Sequence, residues 1–207
     1  IASAPKVSLE LSGASLLVGT VAPTSIELIG ADIRLARSTE GVISFGVGDA
    51  SVPGLIDDDN ENREAFSALM ADMLQGPREG HPLAKLHRIA LLDGDLRMND
   101  RRLGLEWRAP SADLVFAIEE EGIFGDVVLD VDLAGVGARL AATTFFDRED
   151  ELLHATVRFA KVVPAELSTL SPAFAALAAL DAPTNGVLEV VTDSQGRFVE
   201  RVGFDIN

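Results

Sequence analysis

The 207-residue chain has no cysteine and no tyrosine, only three histidines, and few aromatic side chains of any kind, 5% in all. Without cysteine there are no disulfides, no thiolate chemistry and no cysteine-held zinc. Basic residues are scarce, 17 against 33 acidic ones, for a net charge of −16. That field repels phosphate backbones and excludes nucleic acid as a partner class. It also opposes adsorption on an anionic membrane leaflet, which needs clustered Lys and Arg. No run approaches the roughly 18 consecutive apolar residues of a membrane span, and no signal peptide is visible. The chain opens on Ile1 and not on Met. The expectation is therefore a portion of a longer chain, with an anchor or export signal upstream.

What the chain does have is aliphatic alternation. The apolar fraction is 47%, carried by Ala, Val, Leu and Ile, which fill a core or line a channel for acyl chains equally well. From Ser25 to Phe45 two alternating runs are joined by a polar turn at Glu40-Gly41. Ile29, Ala31, Ile33 and Leu35 share one side of an extended segment, with Asp32 and Arg34 on the other, because strand side chains alternate with period two. Ile43, Phe45 and Val47 resume the pattern, and residues 86–146 and 186–206 repeat it.

Residues 5–20 read as strand, with Leu16, Leu17 and Val18 following a turn at Gly13. Residues 61–75 switch to helical spacing through Phe66, Leu69, Met70, Met73 and Leu74, with Asp58, Asp59 or Asn60 as cap. Residues 164–180 predict a second helix with Leu167, Leu170, Phe174 and Leu177 as its stripe, broken near Ser171 by Pro172. Between them, turn signals at Asp93-Gly94, Asn99-Asp100, Ala109-Pro110, Glu120-Glu121-Gly122 and Gly135-Val136-Gly137 recur about every ten residues, which predicts an antiparallel meander. Two last strands, 186–192 and 197–206, are joined at Asp193-Ser-Gln-Gly196.

The chemistry-bearing motifs fail on spacing. An EF-hand loop wants glycine sixth and a carboxylate twelfth. Counting from Asp57 gives Asn62 and Ala68, and from Asp58 gives Arg63 and Leu69, so the acidic run is a solvated loop and helix cap. His81, His87 and His154 stand apart. Gly135-Val-Gly137-Ala-Arg139 lacks the third glycine and the following helix of a nucleotide fingerprint and reads as a hairpin turn. No G-x-S-x-G elbow is present. No cofactor, metal or catalytic residue is expected.

The strand faces form the constellation. Leu103, Leu105 and Trp107 line one side of one strand. Leu114, Phe116 and Ile118 line the next, and Val127, Leu129, Val131 and Leu133 line a third. Glu106, Arg108, Asp130 and Asp132 take the opposite side. An ordinary sheet packed on two amphipathic helices produces this pattern, and so does a curved sheet whose apolar face stays partly open as a groove. The fold expected is mainly β (α+β), one segment of strands 5–47, helix 61–75, strands 86–160, helix 164–180 and strands 186–206.

Several motifs resemble YhdP-type members of the AsmA-like superfamily. They are Leu16-Leu-Val-Gly-Thr20, Ile26-Glu-Leu-Ile-Gly30, the Leu35-Ala-Arg37 and Glu40-Gly41 hairpin, and Ile89-x-Leu-Leu-Asp-Gly94. Asn99-Asp100, Leu105-Glu-Trp-Arg-Ala-Pro110, Leu114-x-Phe116, Leu180-Asp-Ala-Pro183, Gly186 and Asp193-Ser-Gln-Gly196 continue the likeness. It spans nearly the whole chain, through turns and strand faces and no catalytic signature. Thr184 and Asn185 depart from it, standing where a more apolar segment is common. The resemblance implies a bridge-type lipid-transfer protein, anchored in the inner membrane, whose long periplasmic β-groove carries phospholipid toward the outer membrane. The implied partners are phospholipid acyl chains, the remaining segments of the longer chain, and envelope proteins. The alternative, from another class, is a closed β-rich structural or interaction module of the cell envelope.

Overall fold

In the computed structural model residues 5–39, 43–47, 73–76, 83–102, 104–133, 135–169, 172–193 and 203–206 are described. All eleven described strands belong to one open, curved, mostly antiparallel sheet. In chain order they are β1 (Lys6–Leu11), β2 (Pro23–Ile29), β3 (Asp32–Arg37), β4 (Ile43–Val47), β5 (Arg88–Asp100), β6 (Leu105–Ile118) and β7 (Gly122–Leu133). β8 (Val136–Asp147), β9 (Leu152–Val162), β10 (Thr184–Asp193) and β11 (Gly203–Ile206) complete the set. From β5 to β11 each strand pairs antiparallel with the next, so the predicted meander forms as expected.

The N-terminal half departs from a meander. β2 and β3 both run parallel to β5, against residues 88–92 and 95–100 respectively, and form one kinked strand. The kink is at Gly30, whose φ of 65° is open to glycine at no steric cost. It shifts the alternation by one residue. Leu28, and not Ile29 as the unbroken pattern predicted, therefore joins Ala31, Ile33 and Leu35 in the core. β1 pairs with β2 and β4 with β3.

Two of the expected turns are bulges within long strands. Leu91 to Gly94 of β5 faces only Leu114 to Ala112 of β6, and Arg108 to Ser111 of β6 faces only Asp132 to Asp130 of β7. Asp93 takes a φ of 51°, which aspartate tolerates, and its N–H donates to Asp113 Oδ1 at 2.9 Å. Pro110, which has no N–H to offer a ladder, sits in the second bulge, where proline is accommodated. Leu105, Trp107, Leu114, Phe116 and Ile118 thus lie on a single strand rather than on two. Asn99-Asp100 ends β5 and the chain reverses just beyond it.

A third bulge explains the departure at Asn185. Lys161 has a φ of 58°, and its N–H donates to Asn185 Oδ1 at 2.9 Å where β9 carries one residue more than β10. Thr184, buried beside it, donates from Oγ1 to Ala182 O at 2.8 Å. Polar side chains here satisfy backbone groups that the ladder leaves over.

The helices differ most from expectation. Residues 16–18 are not strand: α1 (Gly13–Leu17) is capped by Ser12, whose hydroxyl accepts from Ser15 N, and ends at Gly19 with a φ of 79°. Of the helix predicted over 61–75, residues 73–75 are helical and the others lie outside the described residues. The segment 164–180 is not one amphipathic helix. It splits into α2 (Pro164–Leu167) and a 3-10 helix (Pro172–Ala179), because Pro172 cannot continue an α-helical ladder. Leu170 and the side chain of Phe174 lie outside the described residues.

Arg148 fastens the helical turn at 73–75 to one end of the sheet. Its guanidinium donates to Met73 O at 3.1 Å, Leu74 O at 3.2 Å, Glu120 O at 2.8 Å and Glu119 O. Burial pushes the guanidinium down from its ordinary value. Against this anchor Met73 and Leu86 pack with Ile118, Ile123 and Phe146.

Strands approach closely at Gly125 of β7. A Cβ there would lie 2.3 Å from Thr144 Oγ1 and 2.8 Å from the Phe116 ring. Gly125→Val is expected to cost about 1–3 kcal/mol in chemical denaturation. Gly137→Ala, where nothing stands within 4 Å of an added Cβ, is expected to leave the midpoint unchanged.

Candidate functional site, an apolar sheet face

Register places the candidate residues together. Rows of partners run across the strands on one side of the sheet. One row is Ile89, Phe116, Gly125, Thr144, Ala155 and Val190. The next is Leu91, Leu114, Val127, Ala142, Val157 and Leu188. A third continues from Ala112 through Leu129 and Leu140 to Phe159 and Gly186. At the N-terminal side Ile26 and Leu28 enter the first two rows from β2. Beyond the bulges, Met98 meets Trp107 and Leu96 meets Ala109, with Ile33 and Leu35 of β3 alongside.

Eight of the ten residues singled out in the sequence therefore share this face: Leu105, Trp107, Leu114, Phe116, Ile118, Val127, Leu129 and Val131. Leu133 closes β7 opposite Val136, its side chain outside the described residues, as is all of Leu103. Burial varies across the face, and Ile33, Leu91, Leu96, Ala109 and Ala112 in its interior are buried. Ile118 at one end is 8% exposed in the cluster with Met73, and Leu105 and Val131 toward the other are 9% and 5% exposed. Between them Trp107, Leu114, Phe116, Val127 and Leu129 are half-buried. Every described strand belongs to the same sheet. A sheet face of this character normally packs on a second layer. Among the described residues none is present beyond the short helices.

Sequence reasoning missed the outer parts of the face. Leu28, Leu91 and Leu96 belong to it, as do Leu140, Leu153, Val157 and Phe159, and so do Ile33 and Leu35, which the sequence placed on an apolar strand side without joining them to this face. The alternation Leu153, Ala155, Val157, Phe159 is a readable signal. Leu91 and Leu96 fall on opposite parities, and only the Asp93 bulge brings them to one side.

The limits of the face are polar. At the Leu105 end Arg37 grips buried Asp100, Nε to Oδ1 at 3.0 Å and Nη2 to Oδ2 at 2.5 Å. The reverse side of the sheet is mixed: Val115, Val128 and the stacked Phe124 and Phe145 lie among charged residues. Arg88 meets Glu27 at 3.0 Å, Asn99 donates to Glu106 at 2.6 Å, and Arg139 lies 3.6 Å from Asp130. Asp95 receives the Nε and Nη2 edge of Arg108 and stands 3.5 Å from Arg97. The hydrogen bonds from Arg108 hold the Asp95 carboxyl below the usual carboxylate range, against an opposing contribution from burial. The same contact raises the Arg108 guanidinium.

With this geometry in view, comparison of the chain with family models, curated proteins and solved structures finds no match. No described helix is long and apolar enough to cross a membrane. The arrangement offers a wide, mostly aliphatic surface on one side and a mixture of ion pairs and apolar residues on the other. Such a surface binds by area and not by directed chemistry.

The Asp95 cluster makes a prediction about pH. A carboxyl held low in the folded state stabilises the fold above its unfolded pKa, and that contribution is lost as pH falls through the depressed folded value. Because Arg108 is half exposed, the contribution is about 1 kcal/mol or less. Asp95→Asn is expected to lower the urea midpoint at pH 7, and the gap from the unaltered protein is expected to close on acidification past the ordinary carboxylate range. A gap that stays constant would mean that the carboxylate contributes nothing.

Proposed function

We propose that this chain is a segment of a periplasmic lipid conduit, in which phospholipid acyl chains lie along the apolar sheet face with their head groups kept near water. The observation that carries the reading is the apolar face from β2 to β10, on which Trp107, Leu114, Phe116, Val127 and Leu129 are half-buried, without a covering layer among the described residues. Each methylene taken out of water there contributes about 0.8 kcal/mol. Shape selectivity is low, because the lining is mostly aliphatic, with Phe116, Phe159 and Trp107 as its larger rings. No cofactor is required: transfer along the face exchanges one apolar contact for an equivalent one.

The likeness to YhdP-type AsmA-like proteins supports the same reading and extends it. On that basis the chain works beside the remaining segments of a longer, inner-membrane-anchored protein, passes phospholipid toward the outer membrane, and meets envelope proteins at its ends. It is a carrier and not an enzyme.

The test sets a groove against a sealed core at the same positions. In a groove, Leu129→Asp or Phe116→Glu gives soluble, folded protein with a modest loss of thermal stability, because the position already meets water. In a sealed core the same change buries an unpaired charge and unfolds the domain. Paired with this, a photoreactive residue at 116 or 129 is expected to crosslink to phospholipid in cells, and Leu129→Asp to abolish the crosslink from position 116. Unfolding by both substitutions, with no lipid crosslink from either position, would establish the closed interaction module instead.

A further inference from the structure

The sheet ends on one side at β1, and this edge is open. Among the described residues β1 has a strand beside it only on its β2 side, and every one of its residues is exposed. Of the ten exposed large apolar side chains among the described residues, seven lie between Val7 and Val21, on β1 and the turn that follows it. Val7 and Leu9 stand opposite Leu28 and Ile26, so they carry the apolar face out to the last strand, where they are 69% and 53% exposed. Open edges are commonly guarded by proline, bulges or charges that point to the apolar side. The one irregularity of β1 falls at its end, between Glu10 and Leu11. Its charges, Lys6 and Glu10, alternate with Val7 and Leu9 and so lie on the reverse side.

The backbone fixes which groups the edge offers. Thr24 O accepts from His87 N, and Gly30 N donates to Leu92 O. The even-numbered residues of β2 therefore turn their backbone groups to β5 and the odd-numbered ones to β1. Lys6, Ser8 and Glu10, in register with Ile29, Glu27 and Ser25, use theirs inward. By alternation Val7 and Leu9 present their N–H and C=O outward. A second strand KVSLEL, run antiparallel, answers them. Hydrogen-bonded antiparallel partners both need outward groups, so only registers that set odd-numbered residues against odd-numbered ones are open. One of these sets Val7 against Leu9 of the second copy, Leu9 against its Val7, and Ser8 against Ser8 on the two-fold axis. The same register brings Lys6 against Glu10 at both ends of the joint. Every other such register separates this pair, and sliding further sets Lys6 against Lys6 or Glu10 against Glu10.

From this we infer that two copies of this chain associate edge to edge through antiparallel β1 strands, in the register centred on Ser8. Val7 and Leu9 exchange backbone hydrogen bonds across the joint and cover each other's aliphatic side chains, while Lys6 and Glu10 pair on the reverse side. The contact is isologous and closes at two copies. Its two-fold axis stands perpendicular to the sheet, so the two apolar faces lie on the same side and meet as one surface. The inference rests on the edge alone and does not depend on the lipid reading.

The experiment is sedimentation equilibrium of the 207-residue chain at about 0.15 M salt, where charges more than roughly 8 Å apart are largely screened and the net charge of −16 weighs little. A reversible monomer–dimer equilibrium is expected. Because the chain has no cysteine, single-cysteine variants report the register. Directly opposed residues that exchange no hydrogen bonds have Cα atoms about 4.5 Å apart, within disulfide reach. Ser8→Cys is therefore expected to lock the dimer covalently on mild oxidation. Lys6→Cys, whose counterpart stands at the far end of the joint, is expected not to. Lys6→Glu and Glu10→Lys each set like charges together at both ends and are each expected to weaken association about tenfold or more. The double variant is expected to restore it. Both positions are exposed, so melting temperatures are expected to stay close to that of the unaltered chain. A chain that stays monomeric at every concentration would overturn the inference and leave the edge to a strand of another protein. A dimer that Ser8→Cys does not lock, or that the double variant does not restore, would overturn it equally.

Discussion

Everything in this structure depends on keeping apolar side chains of successive long strands in phase. A strand that slips by one residue turns its whole apolar set to the other side. Here the slips are built in and cancelled. The Gly30 kink corrects β2 against β3, the Asp93 bulge corrects the two halves of β5, and the Pro110 bulge corrects the two halves of β6. Because these irregularities fall on three adjacent strands, Leu28 with Ile33, Leu91 with Leu96, and Trp107 with Leu114 all come to one side. Each is secured locally: a glycine supplies the left-handed turn, Asp113 accepts the stray Asp93 N–H, and Pro110 has no N–H to lose. Without them the face would break in the middle into apolar and charged halves.

The second constraint is the imbalance between the two sides. The reverse side mixes ion pairs such as Arg88 with Glu27 and apolar residues such as the stacked Phe124 and Phe145, while the more uniformly apolar side has a single sheet to itself and no second described layer. Packing closes it around the buried Ile33, Leu91, Leu96, Ala109, Ala112 and Val131 in its interior, and at the two ends. Met73 and Leu86 fill one, tied by Arg148 to four backbone carbonyls, and the Arg37–Asp100 pair marks the other. Trp107, Leu114, Phe116, Val127 and Leu129 stay half-buried beside that interior cluster. This combination, a buried cluster flanked by half-buried apolar side chains with no second described layer, is the physical basis for reading the face as a surface that receives apolar chains.

The sequence made some of this legible and hid the rest for definite reasons. Alternation through Val127, Leu129 and Val131 was enough to place β7, and the spacing of turn signals was enough for an antiparallel series from β5 onward. The same signals misled at Asp93-Gly94 and Ala109-Pro110, because a bulge and a turn use the same residues and differ only in whether the chain reverses. The parallel pairing of β2 and β3 with β5 left no local trace, since it joins residues some sixty positions apart. Leu16-Leu-Val18 read as strand from composition, yet Ser12 caps a helical turn there. Asn185 looked out of place until its bond to Lys161 N explained it.

The account stands or falls on whether the apolar face carries lipid. Native mass spectrometry of the gently purified chain measures this most directly. The account predicts adducts at the masses of phospholipids that survive mild activation, and their loss when Leu129→Asp places a charge in the centre of the face. A chain that is lipid-free under the mildest conditions, including after incubation with phospholipid vesicles, would contradict it.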